Sequence, residues 1–178
     1  MKFLSIDFET ANYDEYSACA LGLVSVQDQV ITEETHWLIR PPDEYFVPRF
    51  IDLHGITWDR VKDVPTFDKY WPQLLTLIEN ADFLVAHNAR FDVGVMKACC
   101  RYYGLTDPKF TYHCTVDIAR RNFNIYPTKL PDVCNKLQIP LSHHDPLSDA
   151  RASAVIMMKY YELQSTGKPD HDTNPGPH

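Results

Sequence analysis

No run of apolar residues in this chain is long enough to cross a bilayer, and Met1-Lys2 leads into a strand-like segment rather than a signal-peptide pattern. A cytoplasmic protein that keeps off membranes is therefore expected. An excess of positive charge is also lacking. The formal charge of the 178 residues is −7, which excludes a broad basic face that coats a polyanion. The five cysteines (Cys19, Cys99, Cys100, Cys114 and Cys134) include no C-x-x-C pair. Their odd number and spacing argue for reduced thiols rather than a disulfide framework or a zinc site. Internal repeats and interior linkers are missing too, so residues 1–164 read as one domain with enough apolar residues for a substantial core.

The charge that is present is uneven. Residues 90–136 hold eight basic residues (Arg90, Lys97, Arg101, Lys109, Arg120, Arg121, Lys129, Lys136) against four acids (Asp92, Asp107, Asp117, Asp132). That surplus of four positive charges allows either a small surface for a short polyanion or ordinary solvated helix faces. Strand-like segments fall at 3–9, 20–27 and 30–39, the last two separated by Asp28 and Gln29. After Pro41–Pro42 comes a loop-rich stretch with DLHGIT at 52–57. Residues 66–80 place Phe67, Tyr70, Trp71, Leu74, Leu75 and Ile78 on one helical side. The run DFLVAHN (82–88) predicts a strand buried on both faces, followed by a helix over 89–103 ending near Gly104. A strand within 110–115, helices near 115–122 and 130–137, and a long helix over 146–164 complete the pattern. Segment 165–178 is polar and rich in Pro and Gly, and is expected to be a disordered tail. The order of elements predicts an α/β fold, a mixed sheet covered by helices.

Four acids stand out against this pattern. FLSIDFETAN (3–12) sets Asp7 and Glu9 within strand formers, on one face and about 6.6 Å apart. Such a pair fits either an edge strand with one wet face or a site where cations lie between the charges. In HNARFDVGVM (87–96), Asn88 is a candidate N-cap, Asp92 ends the first turn, and Phe91, Val95, Met96 and Cys99 would face the core. In HHDPLSDARASA (143–154), Asp145 can cap, Pro146 suits the first helical position, and Asp149 lies in the first turn. An acid near a helix start can be favourable electrostatics alone. Four that converge would repel unless divalent cations bridge them, and oxygen-only ligation selects hard ions such as Mg²⁺ or Mn²⁺.

Asp7-x-Glu9, HNARFD ending in Asp92, and His144 five residues before Asp149 together resemble the three motifs of the DEDDh family of 3′→5′ exonucleases. The likeness is greatest to the epsilon-like proofreading exonucleases of bacterial DNA polymerase III. DLHGIT, VKDVPTF, CTVDIAR and KLPDVCNKLQI also look like segments of that group. The resemblance covers residues 1–164 and implies a ribonuclease H-like fold. It further implies two divalent cations, Mg²⁺ or Mn²⁺. Asp7 would bridge them, Glu9 and Asp149 would complete one site, and Asp92 would support the other. His144 would be the general base and His143 a flanking or structural residue. Phe8 and Thr10 would hold the terminal nucleotide, with His54, Gly55 and Ile56 lining its pocket. The implied substrate is a single-stranded or frayed 3′ end of DNA. RNA is the alternative within the family, and a silent nucleic-acid-binding accessory subunit is the alternative outside enzymology. The lack of a hydrophobic polymerase-docking segment after the last helix points to a stand-alone nuclease. His87 reads as orienting the loop before Asp92. Tyr102, Tyr103, Tyr112, Tyr126 and Trp58 are candidates for stacking on bases or for packing.

Overall fold

The structure, a computed structural model, describes residues 1–166. The chain opens with an antiparallel meander of β1 (Lys2–Thr10), β2 (Ala18–Gln27) and β3 (Val30–Leu38). Asp28 and Gln29 both take positive φ, as a two-residue hairpin turn between right-twisted strands requires. Two short helices follow, α1 (Pro48–His54) and α2 (Trp58–Val61), in the stretch expected to be loop. They escape sequence periodicity because α1 buries no residue and α2 is a single turn of four. Helix α3 (Phe67–Glu79) buries Phe67, Trp71, Leu74 and Ile78, the stripe expected of it.

Strand β4 (Phe83–Ala86) is buried throughout and pairs in parallel with β1, and β5 (Tyr112–Cys114) adds in parallel beyond it. The sheet order is β3-β2-β1-β4-β5. Strand β1 is therefore central, which overturns the edge-strand reading of Asp7 and Glu9. Helix α4 (Ala89–Tyr103) ends at Gly104, which takes the left-handed conformation that favours glycine. Helices α5 (Thr115–Asn122), α6 (Leu130–Leu137) and α7 (Pro146–Thr166) complete the fold. Helix α7 carries on through Ser165 and Thr166, two residues into the expected tail; the rest of that segment, 167–178, lies outside the described residues.

Alternation along β1 assigns its two faces. Leu4, Ile6 and Phe8 pack with α3 and α4 around Trp71, Met96 and Cys99. Phe3 packs with Val85 and with α5, α6 and α7 on the other face. Ser5 lies on that second face and donates from Oγ to the Ala150 carbonyl of α7 at 2.8 Å. Asp7 and Glu9 continue the same face toward the strand's C-terminal end, where the first turn of α7 crosses the sheet.

Candidate active site

The structure brings Asp7, Glu9, Asp92 and Asp149 together at the C-terminal end of β1, at electrostatic range of one another. Asp92 comes from the first turn of α4. Its Oδ1 accepts the Phe8 backbone N–H at 2.9 Å, while its buried Oδ2 has no hydrogen-bond partner among the described residues. Asp149 comes from the first turn of α7. Its Oδ2 accepts from His143 Nδ1 at 2.9 Å and from the His144 backbone N–H at 3.1 Å, while its buried Oδ1 has no partner among the described residues.

Close carboxylates in a half-closed site resist ionisation. Burial first, then Asp92, Asp149 and Glu9, push Asp7 well above the usual carboxylate range. Burial followed by Asp149 and Asp92 pushes Glu9 up to about 8. Burial takes Asp92 to about 7, opposed by the Phe8 N–H and by its own backbone N–H. Asp149 is raised by burial, with His143 opposing. Two charges about 6.6 Å apart repel by roughly 2.5 kcal/mol at an effective dielectric near 20. A helix N-terminus offsets about 0.3–1 kcal/mol. Helix dipoles alone therefore cannot hold four carboxylates charged here, whereas a divalent cation can. All-oxygen donors, with a bare buried oxygen on each of two acids, fit hard cations.

Backbone contacts set these positions. Asp145 Oδ1 caps α7 by accepting from Leu147 and Ser148 N–H at 3.0 and 3.1 Å, as expected. Gly22 sits opposite Asp7 in the β1–β2 ladder. A Cβ there would lie 2.0 Å from the Pro146 carbonyl oxygen and 2.7 Å from Leu147 N. Only glycine lets the start of α7, and with it Asp149, come this close to Asp7. Sequence reading missed Gly22; the available signal was a glycine inside an apolar strand, which marks close backbone approach.

Two expectations about α4 need correction. Asn88 stands at the N-cap position but in the left-handed conformation, φ 65° and ψ 46°, with no side-chain capping bond. Phe91 is 45% exposed rather than in the core, because it lies in the first turn of α4, at the uncovered end of the face that Val95 and Cys99 bury further along; Val95, Met96 and Cys99 are buried as expected.

The histidines separate clearly. His87 donates from Nε2 to the Thr128 carbonyl at 2.9 Å and pairs through Nδ1 with the Thr115 hydroxyl at 2.8 Å. Burial takes it down to about 4, so it is a neutral brace tying β4 to α5 and the following loop. His144 takes a left-handed φ of 68° and is partly exposed. Burial and then His143 lower its pKa, with Asp149 opposing. His54 accepts the Ile56 N–H at Nδ1 (3.0 Å) and reaches the Thr10 carbonyl from Nε2 (3.3 Å). Thr10, His54, Gly55 and Ile56 thus share one corner beside β1, with Gly55 at φ 68°. The side chains of Phe8 and Ile56 are closed into core clusters, and Thr10 is buried. Among the aromatic candidates, Tyr16 stacks on Tyr102 at 4.7 Å between ring centroids, while Tyr126 is 61% exposed. A cavity of about 870 Å³ beside the start of α7 is lined by none of the four acids.

A family model described as Exonuclease matches residues 4–157. The PolC-type DNA polymerase III of Thermotoga petrophila is 30% identical over 164 residues, covering 90% of this chain and 12% of that protein. The DNA polymerase III epsilon subunit of Escherichia coli K12 is 28% identical over 155 residues, covering 83% of this chain and 63% of the relative. The chain thus spans about an eighth of the polymerase and under two thirds of the subunit. The solved structure of exonuclease X in complex with 5′-overhanging duplex DNA matches with a TM-score of 0.73 and 23% identity, covering 93% and 92% of the two chains. The mixed five-stranded sheet flanked by helices is the ribonuclease H-like exonuclease fold.

Proposed function

The chain belongs to the exonuclease family, and from that premise we propose that it hydrolyses phosphodiester bonds at 3′ ends of DNA, releasing 5′-mononucleotides. One observation carries this reading: Asp92 and Asp149, on different helices, each have one oxygen held by the protein and one buried oxygen without a partner, beside Asp7 and Glu9. Exonucleases of the family use divalent metal ions. Two Mg²⁺ or Mn²⁺ ions are proposed here, Asp7, Glu9 and Asp149 holding one, and Asp7 with Asp92 the other. Bound there, such ions would supply neutralising charge for the phosphodiester and a lower pKa for the attacking water.

The chain's own residues supply the rest. His144 takes the proton of the attacking water. The hydrogen bond from its backbone N–H to Asp149 keeps base and carboxylate in register. The corner of Thr10, His54 and Gly55 receives the terminal nucleotide, and Phe8 and Ile56 support it through backbone and packing. Lys97, Arg101 and Arg121 lie near acids only at 3.8, 3.9 and 4.0 Å on the surface. Exposed pairs of that kind contribute little, so the basic block over 90–136 can turn to phosphates. Five free thiols fit a reducing cytoplasm.

The test is digestion of matched 5′-labelled single-stranded DNA and RNA oligomers in Mg²⁺, Mn²⁺ or EDTA. A metal-dependent ladder shortening from the 3′ end, faster on DNA and lost in Asp7→Asn and His144→Ala, is expected. Faster cleavage of RNA would move the substrate to the other branch of the family. Cleavage of neither in any metal would overturn the enzyme reading.

A further inference from the structure

His143 lies beside the site without a role in the chemistry described so far. Its ring stacks on His144 with centroids 3.8 Å apart and planes 23° from parallel. Its Nδ1–H donates to Asp149 Oδ2 at 2.9 Å. One side chain thus touches both the base and a carboxylate proposed to hold metal. His143, His144 and Asp149 form the one group of three His, Cys, Asp or Glu ligand atoms within 4.8 Å of one another among the described residues. An ion centre of their own does not follow. Imidazole lone pairs lie in the ring plane, and nearly parallel stacked rings direct them side by side rather than at a common point. The arrangement is that of a support.

Two features show what is being supported. The left-handed φ of His144 is unfavourable for a residue with a Cβ. That conformation delivers the His144 N–H to Asp149 and its ring to His143, and these two contacts offset the cost. Asp149 Oδ2 takes two donors while Oδ1 takes none, so the His143 bond fixes which carboxylate edge remains for a cation. Partners of this kind typically change metal affinity or activity 10–100-fold when removed. His143 is exposed rather than core, so packing does not explain its placement.

We propose that His143 is a positioning residue with two separable contacts: its Nδ1–H holds Asp149 for metal binding, and its ring face holds His144 for proton transfer. This rests on the exonuclease reading above.

The experiment compares His143→Ala, His143→Asn and His143→Phe in the full chain. Mn²⁺ affinity is read by calorimetry, and kcat and KM on a DNA oligomer at saturating Mn²⁺. Asn keeps a donor at the Nδ1 position and loses the ring; Phe keeps the ring face and loses the donor. The Ala variant is expected to bind Mn²⁺ about 10-fold more weakly and lose 10–100-fold in kcat, with KM little changed. Asn should recover Mn²⁺ affinity but not kcat, and Phe the reverse. Thermal melts confirm that each variant is folded. Wild-type values for Ala, or Asn and Phe that fail to separate the two readouts, would overturn the proposal. If no oligomer is cleaved even by the wild type, the exonuclease reading falls, while the Mn²⁺ titrations still decide the contact with Asp149.

Discussion

Asp92 and Asp149 do the same thing by different means. Each sits in the first turn of a helix, each has one oxygen engaged, and each leaves its other oxygen bare. Asp92 is held by a main-chain N–H of the central strand, a donor that no substitution at Phe8 other than proline removes. Asp149 is held by a histidine side chain and by a backbone N–H in a left-handed loop, and its helix reaches the sheet only because residue 22 is glycine. The α4 half of the site is therefore built into the fold, and the α7 half is adjustable.

The comparison is broken most severely by removing the acids themselves. Asp92→Asn and Asp149→Asn keep their hydrogen-bonded oxygens yet lose the charge, and each should lower kcat/KM by about 10³-fold, since metal stabilisation of the reaction amounts to several kcal/mol. Steady-state assays on a 3′ end check this. Gly22→Ala comes next. Its Cβ meets backbone, which cannot swing aside, so about 1–3 kcal/mol of stability should be lost together with several-fold in Mn²⁺ affinity, while the contact of Asp92 with Phe8 survives. Denaturant melts and calorimetry read both.

A smaller effect comes from pH. The folded, metal-free protein keeps protons on Glu9 and Asp92 up to about 8 and about 7, whereas the unfolded chain releases them near 4. The folded state binds more protons across that window, so stability is highest below it and falls as pH rises through it. In EDTA the Tm should drop from pH 5 to pH 8, and Mg²⁺ should raise it more at pH 8 than at pH 6. The smallest effect sharpens the contrast between the two helices. Gly94 lies within α4, where an added Cβ meets only the Glu15 carboxylate, at 3.6 Å. Gly94→Ala should stabilise by about 0.5–1 kcal/mol, a rise of a few degrees in Tm, with activity unchanged.

Most of the fold was legible in the sequence because its elements punctuate themselves. Asp28-Gln29 turns the hairpin, Gly104 ends α4 at its expected residue, and Asp145-Pro146 opens α7. Periodicity failed where burial is weak: α1 has no buried residue and α2 is too short to show a stripe. The four acids were legible as pairs of spacing and helix start, and the fold brings them together. What local pattern could not supply was three-dimensional neighbourhood. That β1 is central follows only from β4 pairing beside it. The Gly22 contact depends on a helix 124 residues later in the chain. His143 looked incidental because its two contacts arise from the left-handed turn at His144, which the sequence does not announce.

The bare carboxylate oxygens of Asp92 and Asp149 are the proposed cation ligands. Titration of Mn²⁺ into the wild type, Asp92→Asn and Asp149→Asn at pH 7.5, followed by electron paramagnetic resonance, tests this assignment most directly. Two bound ions in the wild type, with one lost or severely weakened in each variant and protons released on binding, is the predicted result. Equal Mn²⁺ binding by all three proteins would contradict it.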